Sequence, residues 1–350
     1  MTPGSATQQA PAPQILARCR DLVRPALVQA VQRLHPWHTE MAAFSLGWVA
    51  ADGSPVPGSQ GKGVRQALAL LGAEAAGAPA EEAVVGAVAV ELIHVFSLLH
   101  DDIMDGDETR RQRATVWKEY GTGPAILAGD ALFALAVQTL AEAPGVHGAV
   151  AVRHLAAMLT DLVRGQAEDL LFETRPWTGP EAVSPQEYRS MAEHKTGALL
   201  GCAAGLGGVL AGAPASTVDA LAGAGRHLGV AFQAVDDLLG IWGDPEVTGK
   251  PVHGDLRRLK KTYPVLAALA AGHPAARRLA ALLGTGDPLD AAGARRAADL
   301  VEEAGGRTAT LAEAQQHLDS ARRSLESVPL APAALGDILA LLPFLVDRTM

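Results

Sequence analysis

SLLHDDIMDGDETRRQRATVW, residues 97–117, decides how this chain folds. An apolar segment runs directly into Asp101 and Asp102, then Asp105, Asp107 and three arginines. On a helix Asp101 and Asp105 lie within about 40° of each other, with Asp102 about 100° round from Asp101. Like charges at that spacing repel by a few tenths of a kcal/mol even when exposed. Beside an apolar interior the penalty grows. The cluster therefore calls for a counter-charge, and oxygen-only donors suit a hard cation such as Mg²⁺, which shares its shell with water and phosphate oxygens.

The pattern recurs at 232–244, FQAVDDLLGIWGD, where an apolar helix delivers Asp236 and Asp237, with Asp244 beyond. A solvated acidic helix end would account for either pair alone. It accounts poorly for two pairs, each behind an apolar helix and each followed by basic residues. Arg110, Arg111 and Arg113 follow the first, and Lys250, Lys260 and Lys261 the second. Lys62 and Arg65 lie in GKGVRQ at a helix start, where backbone N–H groups favour anions. Lys195 and Thr196 stand at another glycine-rich junction. So many cations with two carboxylate pairs point to a ligand of high negative charge bridged by metal, and diphosphate is the natural candidate.

Around these motifs the apolar residues recur at helical spacing. The periodicity predicts helices over 14–34, 64–76, 81–105, 121–142, 147–173, 186–212, 216–240, 257–271, 288–303, 307–325 and 331–347, parted by Gly- and Pro-rich breaks. Residues 1–13 read as a disordered tail and 14–350 as one all-α domain, with the helices after about 265 serving as scaffold. Apolar residues make up 49% of the 350 but aromatics only 4%, so the core is aliphatic and alanine-rich, which suits close-packed helices.

The totals also exclude. A net charge of −9 without a basic block argues against nucleic acid. Cys19 and Cys202 form neither a disulfide framework nor a metal motif, and the N-terminus has no secretory pattern, so a reducing cytoplasm is expected. Residues 197–218 carry no charge over a length that could span a bilayer, but they hold six glycines and Pro214. That stretch reads as a buried, tightly packed helix, and no membrane span is expected.

Taken together these motifs resemble the trans-polyprenyl diphosphate synthases, over residues 55–270 by motif and over the whole chain by helical pattern. The resemblance implies an isoprenoid-synthase-type helical bundle around a central apolar cavity, a homodimer, and lengthening of an allylic diphosphate by isopentenyl diphosphate. It implies three Mg²⁺ ions held by Asp101, Asp102, Asp105, Asp236 and Asp237. Arg110, Lys250 and Lys260 would serve the allylic diphosphate; Lys195 and Thr196, in HKTG, and Gln233, in FQAVDD, would bind substrate too, and Asp101, Asp102, Lys195, Thr196, Gln233, Asp236 and Lys250 would form the catalytic set. Lys62, Arg65, His94 and Arg111 would serve the isopentenyl one. Gln166, in GQAEDL, and Phe232, in FQAVDD, complete the substrate set.

Two motifs depart from that family's pattern. Its basic loop usually reads GKRxRP, whereas here Gly63 and Gln66 remove the second basic residue and the proline. Its second motif usually reads DDxxD, whereas here the last position is Gly240. Asp244, eight residues beyond Asp236, is the remaining candidate; otherwise the third ion relies on Asp236 and water. In the family, bulk at the fifth and fourth residues before the first motif, here Phe96 and Ser97, limits product length. This pair resembles a geranylgeranyl diphosphate synthase most and a farnesyl one next. A terpene cyclase on the same fold is the nearest rival, but it has no need of a second diphosphate site. A non-catalytic subunit should have lost its metal ligands.

Overall fold

The computed structural model describes residues 10–56, 61–143, 145, 147–244 and 252–346. Among them, helices α1 (Ala12–Val31), α2 (Pro36–Ser45), α3 (Val64–Ala75), α4 (Val84–Met104), α5 (Val116–Tyr120), α6 (Thr122–Ala141) and α7 (Gly148–Thr174) make up the first half. They are followed by α8 (Pro185–Ala192), α9 (Ala198–Leu210), α10 (Ala215–Trp242), α11 (Gly254–Arg257), α12 (Tyr263–Ala270), α13 (Pro274–Leu283), α14 (Ala291–Glu303), α15 (Gly306–Glu326) and α16 (Pro332–Val346). The one sheet among the described residues is a hairpin of β1 (Thr109–Arg110) and β2 (Arg113–Ala114). The all-α expectation holds.

The chain packs as two compact units, each discontinuous in sequence. One takes the described residues up to Leu155 with Cys202–Ala222 and Ser324–Phe344. The other takes Ala156–Gly201 and Gly223–Arg323 with the last residues of α16.

The first unit is built on α4, whose Leu92, Ile93 and Leu99 are almost wholly buried. Packing here depends on small residues. A Cβ on Gly72 of α3 would fall on the carbonyl of Ala204, and one on Gly207 of α9 on the carbonyl of Ala69. Backbone therefore meets backbone between α3 and α9. That contact explains the charge-free, glycine-rich 197–218 stretch, most of which is buried up to Leu210. Among the described residues the helices long and apolar enough to cross a membrane are instead Ala80–Met104 and Thr122–Ala141, the most apolar windows of which are 56% and 39% buried.

The second unit has an aliphatic core from Ile241, Leu256, Val265, Leu279, Leu283 and Val301. The predicted 186–212 helix is three segments: α8, a π-helical turn at Glu193–Gly197, and α9. The wider turn forms where glycines let neighbouring backbones close in. A Cβ on Gly165 of α7 would fall on the backbone nitrogen of Lys195, and one on Gly229 of α10 on Gly197. Such π turns inside α-helices are frequent at functional sites. The predicted 14–34 helix is the single helix α1, whereas α2, which starts at Pro36 behind His35, whose ring accepts the Trp37 N–H, was not expected. The 257–271 prediction resolves into α11 and α12, and α13 and the one-turn α5 were not expected at all.

Candidate active site

Within the first unit α4 carries two chemistries along one face. Asp101 lies in its last turn and Asp105 caps it; both are half-buried and share a side of the helix. The C-terminal end of a helix is itself partly negative, so these carboxylates sit where a cation is most needed. Asp102 points elsewhere. It is 4% exposed and accepts hydrogen bonds from Arg110, at 2.8 Å from Nε and 2.6 Å from Nη2. Burial pushes its carboxyl up, and Arg110 opposes that shift. The segment after α4 is pinned at Asp107, whose carbonyl accepts from Thr115 Oγ1 at 2.8 Å and Trp117 Nε1 at 2.9 Å.

That segment ends in the β1–β2 hairpin, closed by Arg111 and Gln112 at φ 51° and 61°. A two-residue turn of this hand wants Asn or Gly. Four described non-glycine residues have positive φ, namely Arg111, Gln112, His253 and Leu259, and all lie in the segments that follow the aspartate pairs. Strain concentrated in this way marks functional sites. The turn sets the Arg111 guanidinium against Gly61, 3.2 Å from where a Cβ on that glycine would be.

The second chemistry on α4 lies two turns before Asp101. Glu91 and His94 are one turn apart on α4, and the charges of Arg65 and Arg111 bear on both. Burial, Arg65, Arg111 and Arg110 hold the His94 imidazole well below its usual range, so it is neutral at physiological pH. Burial pushes the Glu91 carboxyl up, against Arg65, Gln66 and Arg111. Lys62 is exposed, with Nζ 5.1 Å from the Phe344 ring centroid. The site thus gains Glu91, which sequence reasoning missed. The signal was present: Glu91 is the one acid in an otherwise uncharged run up to His94.

In the second unit Asp237 is 3% exposed and wholly engaged. Its Oδ2 accepts from Tyr188 OH at 2.7 Å and the Tyr263 N–H at 3.0 Å, and its Oδ1 from Gln233 Nε2 at 2.9 Å. Burial raises this carboxyl to about 7. Gln233 Oε1 in turn accepts from Thr196 Oγ1 at 2.8 Å, and Lys195 Nζ meets Asp169 at 2.5 Å. The π turn, α7 and α10 therefore lock together through Lys195, Thr196, Gln233 and Asp237. Tyr188, Tyr263 and Asp169 were not expected; Asp169 falls inside the quoted GQAEDL motif and Tyr263 directly follows KKT.

Asp236, Phe232 and Gln166 are half-buried on α10 and α7. Lys260 is half-buried, and its N–H donates to the Asp255 carbonyl. Lys261, grouped with it on sequence, is buried and turned over the Trp177 ring at 4.4 Å. Lys250 lies outside the described residues. Asp244 is exposed beyond the end of α10. At Gly240 a Cβ would fall on the carboxylate of Asp255, so the place of the expected third aspartate is already filled by a carboxylate from α11. Phe96 packs edge-on to His100 at 4.8 Å and against Phe133 of α6 at 5.5 Å, whereas Ser97 donates to the His94 carbonyl one turn before Asp101.

Could these residues hold a divalent ion? Among the described residues no three His, Cys, Asp or Glu side chains close a metal cage. Asp101 and Asp105 nonetheless fit a hard cation that takes the rest of its shell from diphosphate and water.

Residues 53–301 match the sequence profile of the polyprenyl synthetase family. The chain belongs to that family. A (2E,6E)-farnesyl diphosphate synthase of Mycobacterium tuberculosis is 43% identical over 342 residues, 95% of this chain and 92% of its own. A geranylgeranyl diphosphate synthase of the same organism is 43% identical over 335 residues, 95% and 93% of the two chains. The crystal structure of a polyprenyl synthetase from Streptomyces coelicolor A3(2) superposes with a TM-score of 0.89 at 47% identity, covering 95% of this chain and 99% of that one. A polyprenyl synthase from Caulobacter crescentus CB15, complexed with calcium and isoprenyl diphosphate, superposes with a TM-score of 0.81 at 27% identity, covering 98% and 100%. This polyprenyl synthetase thus has relatives named for both farnesyl and geranylgeranyl products at equal identity, so identity does not choose between them.

Proposed function

We propose that this chain is a Mg²⁺-dependent prenyltransferase that condenses isopentenyl diphosphate with an allylic diphosphate to give a short-chain (E)-polyprenyl diphosphate. One observation carries the reading. A single helix, α4, bears carboxylates at its end and, two turns earlier, a neutral histidine among arginines. The first arrangement suits a metal-bound diphosphate. The second suits a diphosphate held without metal, which a cyclase would not require.

In the first unit Asp101 and Asp105 would hold metal ions and Arg110 would add positive charge for the allylic diphosphate; in the second Asp236 would serve as a metal ligand and Lys195, Lys250 and Lys260 as cations for that diphosphate, three ions being expected in all. Bound ions would supply Lewis-acid stabilisation of the leaving diphosphate. Asp102 and Asp237 brace the site instead of ligating: Asp102 fixes Arg110, and Asp237 fixes Gln233 and, through it, Thr196. Lys62, Arg65 and Arg111, with His94, orient isopentenyl diphosphate so that its double bond attacks the allylic carbon as the C–O bond breaks. A proton then leaves to the released diphosphate. Positioning and electrostatics account for the catalysis, and apolar side chains exclude water from the cation.

Geranylgeranyl diphosphate is the product we favour, farnesyl next. Ser97, one turn before Asp101, leaves room for a growing chain. Ser97→Phe should therefore shorten the product, and Phe96→Ala should lengthen it; unchanged chromatograms for both would remove these residues from length control. The protein acts in the cytoplasm without a membrane span. It works as a homodimer, in which a second copy covers the exposed Ile126, Leu127 and Phe133 of α6.

The test is product analysis. The purified chain is incubated with Mg²⁺, isopentenyl diphosphate and, separately, dimethylallyl, geranyl and farnesyl diphosphates. Elongated diphosphates are expected. Hydrocarbons formed without isopentenyl diphosphate would instead indicate a cyclase.

A further inference from the structure

The basic loop lacks a cation where Gly63 stands, and an arginine from another element, Arg20 of α1, packs beside that position. Gly63 is at φ 69°, left-handed backbone that disfavours any side chain. A Cβ built there would lie 3.8 Å from Cβ of Arg20 on α1. Arg20 is half-buried, and among the described residues no hydrogen bond or ion pair engages it. Together with Gly61, Gln66 and Glu91 it lines a cavity of about 30 Å³, roughly the space of one water or one phosphoryl oxygen. Arg111 lies against Gly61 at one end of the loop, and Arg20 against Gly63 at the other. Glu91, the one acid lining the cavity, interacts with Arg65, Gln66 and Arg111.

We propose that Arg20 is a binding residue for isopentenyl diphosphate, supplying from α1 the guanidinium that the loop cannot carry at Gly63. A half-buried guanidinium without a partner is a costly arrangement unless a ligand anion completes it. The proposal rests on the reading that the cluster around His94 takes isopentenyl diphosphate.

Equilibrium binding of isopentenyl diphosphate to the full chain, and KM for each substrate, test the proposal in wild type, Arg20→Ala, Arg20→Gln and Arg20→Lys. Arg20→Ala and Arg20→Gln should weaken isopentenyl diphosphate binding about tenfold and raise its KM in step. The KM for the allylic diphosphate should stay within about twofold. Arg20→Lys should fall between, because a point charge replaces a fork. If both neutral variants bind isopentenyl diphosphate like wild type, or if both substrates weaken equally, Arg20 has no such role. Should Arg20→Ala fail to fold, the less disruptive Arg20→Gln decides between these outcomes. A wild-type chain that does not bind isopentenyl diphosphate at all would sink the functional reading itself, and Arg20 with it.

Discussion

Asp102 and Asp237 look equivalent to their neighbours in sequence, and the fold separates them. Each is the second of an adjacent pair, so the helix turns it about 100° from the first and into the protein. The proposed roles therefore divide the labour within each pair, and the division makes a prediction. Asp101→Asn and Asp105→Asn should raise the Mg²⁺ concentration needed for half-maximal turnover at least tenfold. Asp102→Asn should lower turnover by freeing Arg110 while leaving that midpoint within about twofold. Equal midpoint shifts in all three would put Asp102 among the ligands. His94 offers a second test, through pH. Its folded pKa lies well below the ordinary 6.5, so the unfolded chain takes up the proton first as pH falls. Stability should be flat in this respect above about pH 7 and should decline below about 6.5, by up to roughly 1.4 kcal/mol per pH unit. Urea midpoints at about pH 5.5 and 7.5 should converge for His94→Asn relative to wild type. Parallel behaviour of the two would mean that His94 is not held neutral.

At the level of elements, the long periodic helices were legible, including α4, α6 and α10. Their apolar stripes are continuous and their ends are marked by Gly or Pro. The π turn at 193–197 was not legible, because its cause is not local. Gly165 and Gly229, distant in sequence, allow the approach that widens the turn and presents Lys195 and Thr196. Ala in place of Gly inside a helix ordinarily stabilises by about 0.5–1 kcal/mol. Gly165→Ala should do the reverse, lowering stability by more than about 2 kcal/mol and reducing turnover, because its Cβ meets the Lys195 backbone. A neutral or stabilising result, read by thermal melting, would mean the turn does not depend on that contact. Gly240 belongs to the same class. Read on its own it is a missing ligand, but in the fold it makes room for Asp255. Gly240→Asp, which restores the family pattern, should therefore reduce both stability and activity.

For the whole molecule, helical periodicity reads as one continuous domain over 14–350 and carries no sign of two compact units that interleave along the chain. Contacts between residues far apart in sequence decide that division, and periodicity does not report them. The motif residues stand out in the sequence because they place charges against apolar helices that a core would otherwise reject. Their neighbours Tyr188, Tyr263, Asp169 and Glu91 do not, because each is ordinary until its surroundings are known.

The proposed reaction depends on two diphosphates being held by different chemistries, one through metal and one through side chains alone. Calorimetry separates them: binding of isopentenyl diphosphate and of a non-reactive allylic thiodiphosphate is measured, each with Mg²⁺ and with EDTA. Isopentenyl diphosphate should bind with an affinity that EDTA changes by less than about threefold, and the allylic analogue should lose its binding in EDTA. Loss of isopentenyl diphosphate binding on metal removal, or allylic binding indifferent to metal, would overturn that division.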